Sequence, residues 1–136
     1  MSPDPEVPST PAPESIRVLV ADGNPISRDV LFKHLEAMGY TVDVARDGDH
    51  ALAMAASGGY HIMLLDVHMP VFNGVEVMRR LHLLMGRSLR VIAIGADRVP
   101  TSREEMRRMG VDGYLTKPVD LWRLDEELRR VLRGLV

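Results

Sequence analysis

The chain has 136 residues, enough for one domain with its own hydrophobic core. Seventeen basic against 19 acidic side chains leave a net charge of -2, which excludes an overall electrostatic pull toward nucleic acid or an anionic membrane. The absence of cysteine excludes disulfides, thiolate catalysis and zinc ribbons together.

Residues 1–15 hold five of the nine prolines, among Ser, Thr, Asp and Glu, with little to bury. They predict a disordered tail ahead of a domain spanning 16–136. The tail lacks the basic and then apolar pattern of a secretory signal. No apolar run reaches the ~18 residues of a membrane span, so the expectation is a cytoplasmic protein without a membrane partner.

Ile16–Ala21 is a short run rich in Ile and Val and predicts a strand. Asn24 then Pro25 supply a helix N-cap and a proline at the first helical position. Ile26, Val30, Leu31, Leu35 and Met38 fall on one face of that helix, and Gly39 ends it. Thr41–Ala45 predicts a second strand. Asp47 opens a short helix carrying Ala51, Leu52 and Ala55, closed by Gly58 and Gly59. His61–Leu65 predicts a third strand, apolar on both faces, and Asn73-Gly74 opens a helix with Val77, Met78, Leu81 and Met85. Leu89–Ile94 predicts a fourth, buried strand. Thr101 and Glu104 form a capping box for a fourth helix, whose apolar face is mainly Met106 and Met109. Val111–Leu115 predicts a fifth strand. Asp120 caps a final helix with Leu121, Leu124, Leu128, Val131, Leu132 and Leu135 at helical period, and Arg129, Arg130 and Arg133 suit the negative end of its dipole.

Strands alternating with helices imply an α/β fold, a doubly wound parallel sheet covered on both faces. Ligands of such sheets sit beyond the carboxyl ends of the strands, where the strand order reverses. Asp22, Gly23 and Asn24 follow the first strand, Asp66 to Pro70 the third, Gly95 to Asp97 the fourth, and Thr116 to Pro118 the fifth. Two carboxylates, Asp22 and Asp66, and one ammonium, Lys117, therefore gather at one edge. A lysine beside an aspartate is a partner for a phosphoryl or carboxyl group. Two neighbouring carboxylates suit a hard cation such as Mg2+. Taken singly, either aspartate reads as a loop cap and Lys117 as a solvated loop residue; the three together point to function.

Three segments carry a resemblance: VLVADGNPISR at 18–28, HIMLLDVHMPVFNGVEVMRRL at 61–81 and GVDGYLTKPV at 110–119. In that order and spacing, from Ile16 to about Arg133, the chain resembles the receiver domain of two-component response regulators. The resemblance implies a flavodoxin-like (βα)5 sandwich with a five-stranded parallel sheet in the order 2-1-3-4-5. It implies that Asp66 accepts a phosphoryl group from the phosphohistidine of a histidine kinase or a histidine phosphotransfer protein. Mg2+ would be held by acidic residues after the first strand, here Asp22, by Asp66 and by the backbone carbonyl of His68, while Lys117 contacts phosphoryl oxygen. A hydroxyl residue after the fourth strand and an aromatic on the fifth, here Tyr114, would then shift a two-state equilibrium around the fourth and fifth helices. That face would contact a downstream protein or a second copy of the chain, and the Lys117-Pro118 bond would be cis.

Two residues depart from the family pattern. The family usually carries two adjacent acidic residues after the first strand, and Gly23 stands at the second, the direct Mg2+ ligand. That implies a weakened cation site; Asp22 through water, the Asn24 amide oxygen or Asp97 would be the rescues. Gly95 stands where the family places Thr or Ser, so the usual trigger of Tyr114 is missing. The expectation is an atypical single-domain receiver, a pseudo-receiver and not an enzyme, acting through protein contact with weakened or no phosphorylation. The alternative is a conventional phosphoryl-accepting switch at Asp66 with Mg2+. A flavodoxin-like small-ligand binder or a phosphatase is a lesser alternative, because the chain has no Gly-rich phosphate loop and no DxD at Asp66.

Overall fold

The structure, a computed structural model, describes residues 12, 15–68, 74–85, 89–95, 104, 108 and 110–133. In chain order the elements are β1 (Arg17–Ala21), α1 (Pro25–Ala37), β2 (Thr41–Ala45), α2 (Gly48–Ser57), β3 (Ile62–Asp66), α3 (Gly74–Met85), β4 (Arg90–Gly95), β5 (Gly113–Thr116) and α4 (Leu121–Arg133). All strand pairs are parallel and the sheet order is β2-β1-β3-β4-β5, the order the resemblance implied. Of the helix predicted to open at Thr101, only Glu104 and Arg108 are described; both are helical and pair at 3.4 Å. Thr101, Met106, Met109, Asn73, Asp97, Leu135 and all of 1–15 except Ala12 and Ser15 lie outside the described residues. Among the described residues no helix is long and apolar enough to cross a membrane.

Local chemistry sets the helix ends. Asn24 keeps an extended backbone while its Oδ1 accepts the N–H groups of Ile26 and Ser27 at 2.9 and 3.1 Å. Asp47 accepts the N–H of His50 at 2.8 Å to start α2. Gly39, at φ 100°, turns the chain out of α1 in a conformation that side-chain-bearing residues avoid.

Alternation along the strands builds two apolar layers. Leu19, Met63, Leu65, Val91 and Ala93 pack against Ala51, Leu52 and Ala55 of α2 and Val77, Met78 and Leu81 of α3. Val18, Val20, Ile62, Leu64, Ile92 and Ile94 pack against Leu31 and Leu35 of α1 and Leu124, Leu128, Val131 and Leu132 of α4. The central strand β3 is buried at every residue, as the apolar run Ile62–Leu65 requires, and Asp66 at its end is buried with them.

Two expectations need correction. The sequence puts Ile26, Val30 and Met38 on one apolar face of α1 with Leu31 and Leu35, yet they are 76%, 49% and 40% exposed. The reason is helical geometry: 26, 30 and 34 form one i, i+4 row and 31 and 35 the next. Only the second row meets the sheet, while His34 reaches sideways to Asp125 of α4 at 2.8 Å. The strands are also displaced. Pairing starts at Arg17, Ile62, Arg90 and Gly113, later than the apolar runs, and extends through Asp66 and Gly95. The ladder continues because Val67 N–H donates to the Ile94 carbonyl at 3.0 Å and Lys117 N–H to the Gly95 carbonyl at 2.9 Å.

Truncating the two rows of α1 should therefore have unlike effects. Leu35→Ala is expected to lower unfolding free energy by about 2–5 kcal/mol, and Ile26→Ala to change it by no more than about 0.5 kcal/mol. Urea midpoints of the two variants measure the difference.

Candidate functional site

The site grows from the carboxyl ends of neighbouring strands. Ala21 is in register with Leu65, so Asp22 and Asp66 emerge side by side from β1 and β3. Both are buried, at 1% and 4% exposure. Lys117 follows β5, with β4 between it and Asp66. Its flexible stem carries the ammonium across the end of β4, where Nζ donates to Asp66 Oδ2 at 3.0 Å and lies 3.8 Å from Asp22 Oδ2. The Lys117-Pro118 peptide bond is cis.

Each carboxylate is also held by backbone. Asp66 Oδ1 accepts the N–H of His68 at 3.0 Å. Asp22 Oδ1 accepts the N–H of Asn24 at 2.8 Å, and Arg28 donates to the Asp22 carbonyl at 2.9 Å. Asp22 Oδ2 is buried with no hydrogen-bond partner among the described residues. Burial pushes the Asp22 carboxyl above its ordinary value of 3.8. The Asn24 N–H, the Ser27 hydroxyl and the Lys117 ammonium pull it down, and the Asp66 charge adds to the rise. One ammonium thus serves two buried carboxylates, leaving excess negative charge at the strand ends.

That excess tests the fit of a hard cation. Among the described residues no cluster of three or more His, Asp or Glu side chains forms a ready cage. The oxygens that suit Mg2+ are the underused Asp22 Oδ2 and the Asp66 carboxylate, with a backbone carbonyl such as that of His68 as a neutral third. Gly23 adds no side-chain oxygen. Asn24 is no substitute, because its Oδ1 already accepts two N–H groups as the cap of α1.

Gly95 and Tyr114, the expected switch pair, are in contact. A Cβ built on Gly95 would overlap the Tyr114 hydroxyl oxygen and stand 2.9 Å from Val67 Cγ2. The sequence shows only that residue 95 lacks a hydroxyl; the structure shows a phenol in its place. Sequence reasoning missed two further residues. Arg28 braces the Asp22 carbonyl, and Glu127 of α4 accepts the Tyr114 N–H at 3.3 Å on the open edge of β5. Arg28 lay inside a quoted segment, but nothing in its spacing signalled a backbone contact. Trp122, at the start of α4, is 80% exposed.

Comparison with known proteins bears on these features. Residues 18–129 match the family model of the response regulator receiver domain. The chain is 38% identical over 119 residues to response regulator MprA of Mycobacterium ulcerans, covering 88% of this chain and 51% of that protein. It is 37% identical over 109 residues to the peroxide stress-activated histidine kinase mak3 of Schizosaccharomyces pombe, covering 75% of this chain and 5% of that protein. The chain thus spans about half the length of the one relative and a small part of the other. It is also similar to the solved receiver domain of the sensor histidine kinase PA1611 of Pseudomonas aeruginosa, which has a magnesium ion coordinated in its active site cleft. There the identity is 28% and the TM-score 0.77, over 87% of this chain and 98% of that one.

The raised Asp22 carboxyl fixes the sign of a pH effect. Folding favours its protonated form, so its contribution to stability is full below 3.8 and is lost as pH rises through the raised value. Asp22→Asn avoids that loss and is expected to unfold at a higher temperature than the unsubstituted chain at pH 7, with the gap closing toward pH 3. Thermal midpoints across that range measure it.

Proposed function

The chain belongs to the response regulator receiver domain family of two-component signalling, and from that membership we propose that Asp66 is its phosphoryl acceptor, at a cation site weakened by Gly23. The donor is the phosphohistidine of a histidine kinase or a histidine phosphotransfer protein. Residues 16–136 form the receiver and 1–15 a tail. The observation that carries the reading is the Lys117 ammonium 3.0 Å from a buried Asp66 carboxylate, beside a second buried carboxylate.

The chemistry follows from those contacts. A carboxylate oxygen of Asp66 attacks phosphorus, forming an O–P bond. The P–N bond of the donor breaks and its electron pair returns to the imidazole nitrogen. The His68 N–H holds Oδ1 and the ammonium holds Oδ2, so the carboxylate is oriented before the donor arrives. As negative charge moves from carboxylate to phosphoryl group, Lys117 follows it onto a phosphoryl oxygen. Mg2+, held by Asp22, Asp66 and the His68 carbonyl, supplies charge neutralisation of the transferring group when bound. With Gly23 in place of a carboxylate, that ion is held weakly and transfer is slow at low Mg2+.

A second reading is a pseudo-receiver that signals by protein contact alone, to a downstream protein or to a second copy of the chain. It draws support from the same ion pair, which neutralises Asp66 without any phosphorylation, and from the exposed apolar side chains Ile26, Val30 and Trp122.

Amide NMR of the whole chain separates the two. With Mg2+ and beryllofluoride, a phosphoryl mimic, shifts are expected around Asp22, Asp66 and Lys117, and none in Asp66→Asn. Gly23→Asp is expected to tighten Mg2+ roughly tenfold or more. An unsubstituted chain and a Gly23→Asp variant that both stay silent at saturating Mg2+ would leave contact alone as the function. An unchanged Mg2+ affinity in Gly23→Asp would clear Gly23 of the weakening.

A further inference from the structure

We propose that the Tyr114 hydroxyl replaces the side-chain hydroxyl that residue 95 lacks, donating a hydrogen bond to a phosphoryl oxygen on Asp66. The proposal rests on Asp66 being the acceptor. It adds a second phosphoryl-binding residue beside Lys117, a role the resemblance did not give Tyr114.

Its basis is the crowding at the end of β4. Gly95 is the last residue of that strand and is buried. On one side its neighbour is β3, where Asp66 is in register with Ile94, so Val67 stands beside Gly95. On the other side is β5, where Tyr114 is in register with Ala93. From there the phenol ring packs on the core layer, and its hydroxyl reaches the volume that a Cβ on Gly95 would fill. That volume adjoins Val67, the residue after Asp66, because the same Cβ would stand 2.9 Å from Val67 Cγ2. The hydroxyl is therefore delivered to the strand next to the acceptor, and adjacent strands are only about 4.8 Å apart.

Donor and acceptor chemistry completes the case. The carboxylate of Asp66 already accepts from His68 N–H and from Lys117. Phosphorylation adds oxygens with strong acceptor capacity and a charge near -2. Lys117 meets them from the end of β5. A phenol on the Val67 side offers an O–H that needs no deprotonated partner, and such charge-assisted bonds are the strong ones. The backbone of the same residue is tied to α4, because the Tyr114 N–H donates to Glu127.

The test moves the hydroxyl. Tyr114→Phe removes it and keeps the ring. Gly95→Ser with Tyr114→Phe returns one from the other strand: once the phenol oxygen is gone the ring atom nearest the new Cβ is Cζ, at 3.4 Å, and the Val67 Cγ2 methyl, at 2.9 Å, must shift by a few tenths of an ångström to admit it. Beryllofluoride affinity in Mg2+ is read by amide NMR for each chain, with thermal midpoints as a folding control. The expected result is a roughly tenfold weaker affinity in Tyr114→Phe, restored to within about threefold in the double variant. Tyr114→Phe binding as well as the unsubstituted chain would overturn the proposal and leave Asp66 as acceptor. Weakening without recovery in a folded double variant would also overturn it, since a packing role would not be rescued. A chain with no response at all would overturn both readings together. The 13Cζ resonance of Tyr114 gives an answer that needs no variant: it should move on beryllofluoride binding, and a fixed resonance in the bound chain would overturn the proposal.

Discussion

The Lys117 ammonium is the contact on which the site depends. Asp22 and Asp66 lie on adjacent strand ends inside a low-dielectric edge, where two like charges repel strongly. A positive group must stand between them or one must take up a proton. Lys117 supplies that charge from two strands away, 3.0 Å from one carboxylate and 3.8 Å from the other. The sheet order makes this reach available. Because β4 separates β5 from β3, a long side chain leaving the end of β5 spans the gap and a short one would not. Burial still raises the Asp22 carboxyl, with a smaller push from the Asp66 charge, so the arrangement keeps a cost for ionising both groups. Stability given up at such a spot is typical of sites arranged to receive something charged.

Two glycines stand beside these groups, Gly23 after β1 and Gly95 at the end of β4. They act in opposite ways. Gly23 contributes no side-chain oxygen to the charged edge, and the side chain of Asn24 beside it is committed as the cap of α1. Gly95 also subtracts a side chain, but the space it leaves is filled by Tyr114. One leaves the charged edge without a further oxygen. The other admits a phenol to the strand beside Asp66. Two glycines that look alike in the sequence thus have unlike structural surroundings.

Much of the site was legible because strand ends and sheet topology are local and combinatorial matters. Apolar runs marked the strands, caps marked the helices, and the strand ends then listed Asp22, Asp66 and Lys117 together. The cap of α1 at Asn24 and that of α2 at Asp47 stand where the sequence put them. The misreadings have physical causes. Ile26 and Val30 are apolar but lie one row away from the sheet-facing row of α1. The strands overran the apolar runs because backbone pairing does not stop where hydrophobicity does, and so Asp66 and Gly95 end strands instead of opening loops.

The sequence by itself determined the alternation of strands and helices, the family, and which charged residues meet at one edge. The alternation and the shared edge follow from periodicity, capping chemistry and chain connectivity, all of which act between near neighbours or through a single sheet order, while the family follows from the resemblance of three segments. Only the tertiary structure decided that one ammonium bridges both aspartates, that Asp22 Oδ2 has no hydrogen-bond partner among the described residues, and that the Tyr114 hydroxyl occupies the space above Gly95. Each of these depends on distances between residues tens of positions apart. Such distances are set by packing of the whole sheet to within an ångström, and no pattern along the chain encodes them.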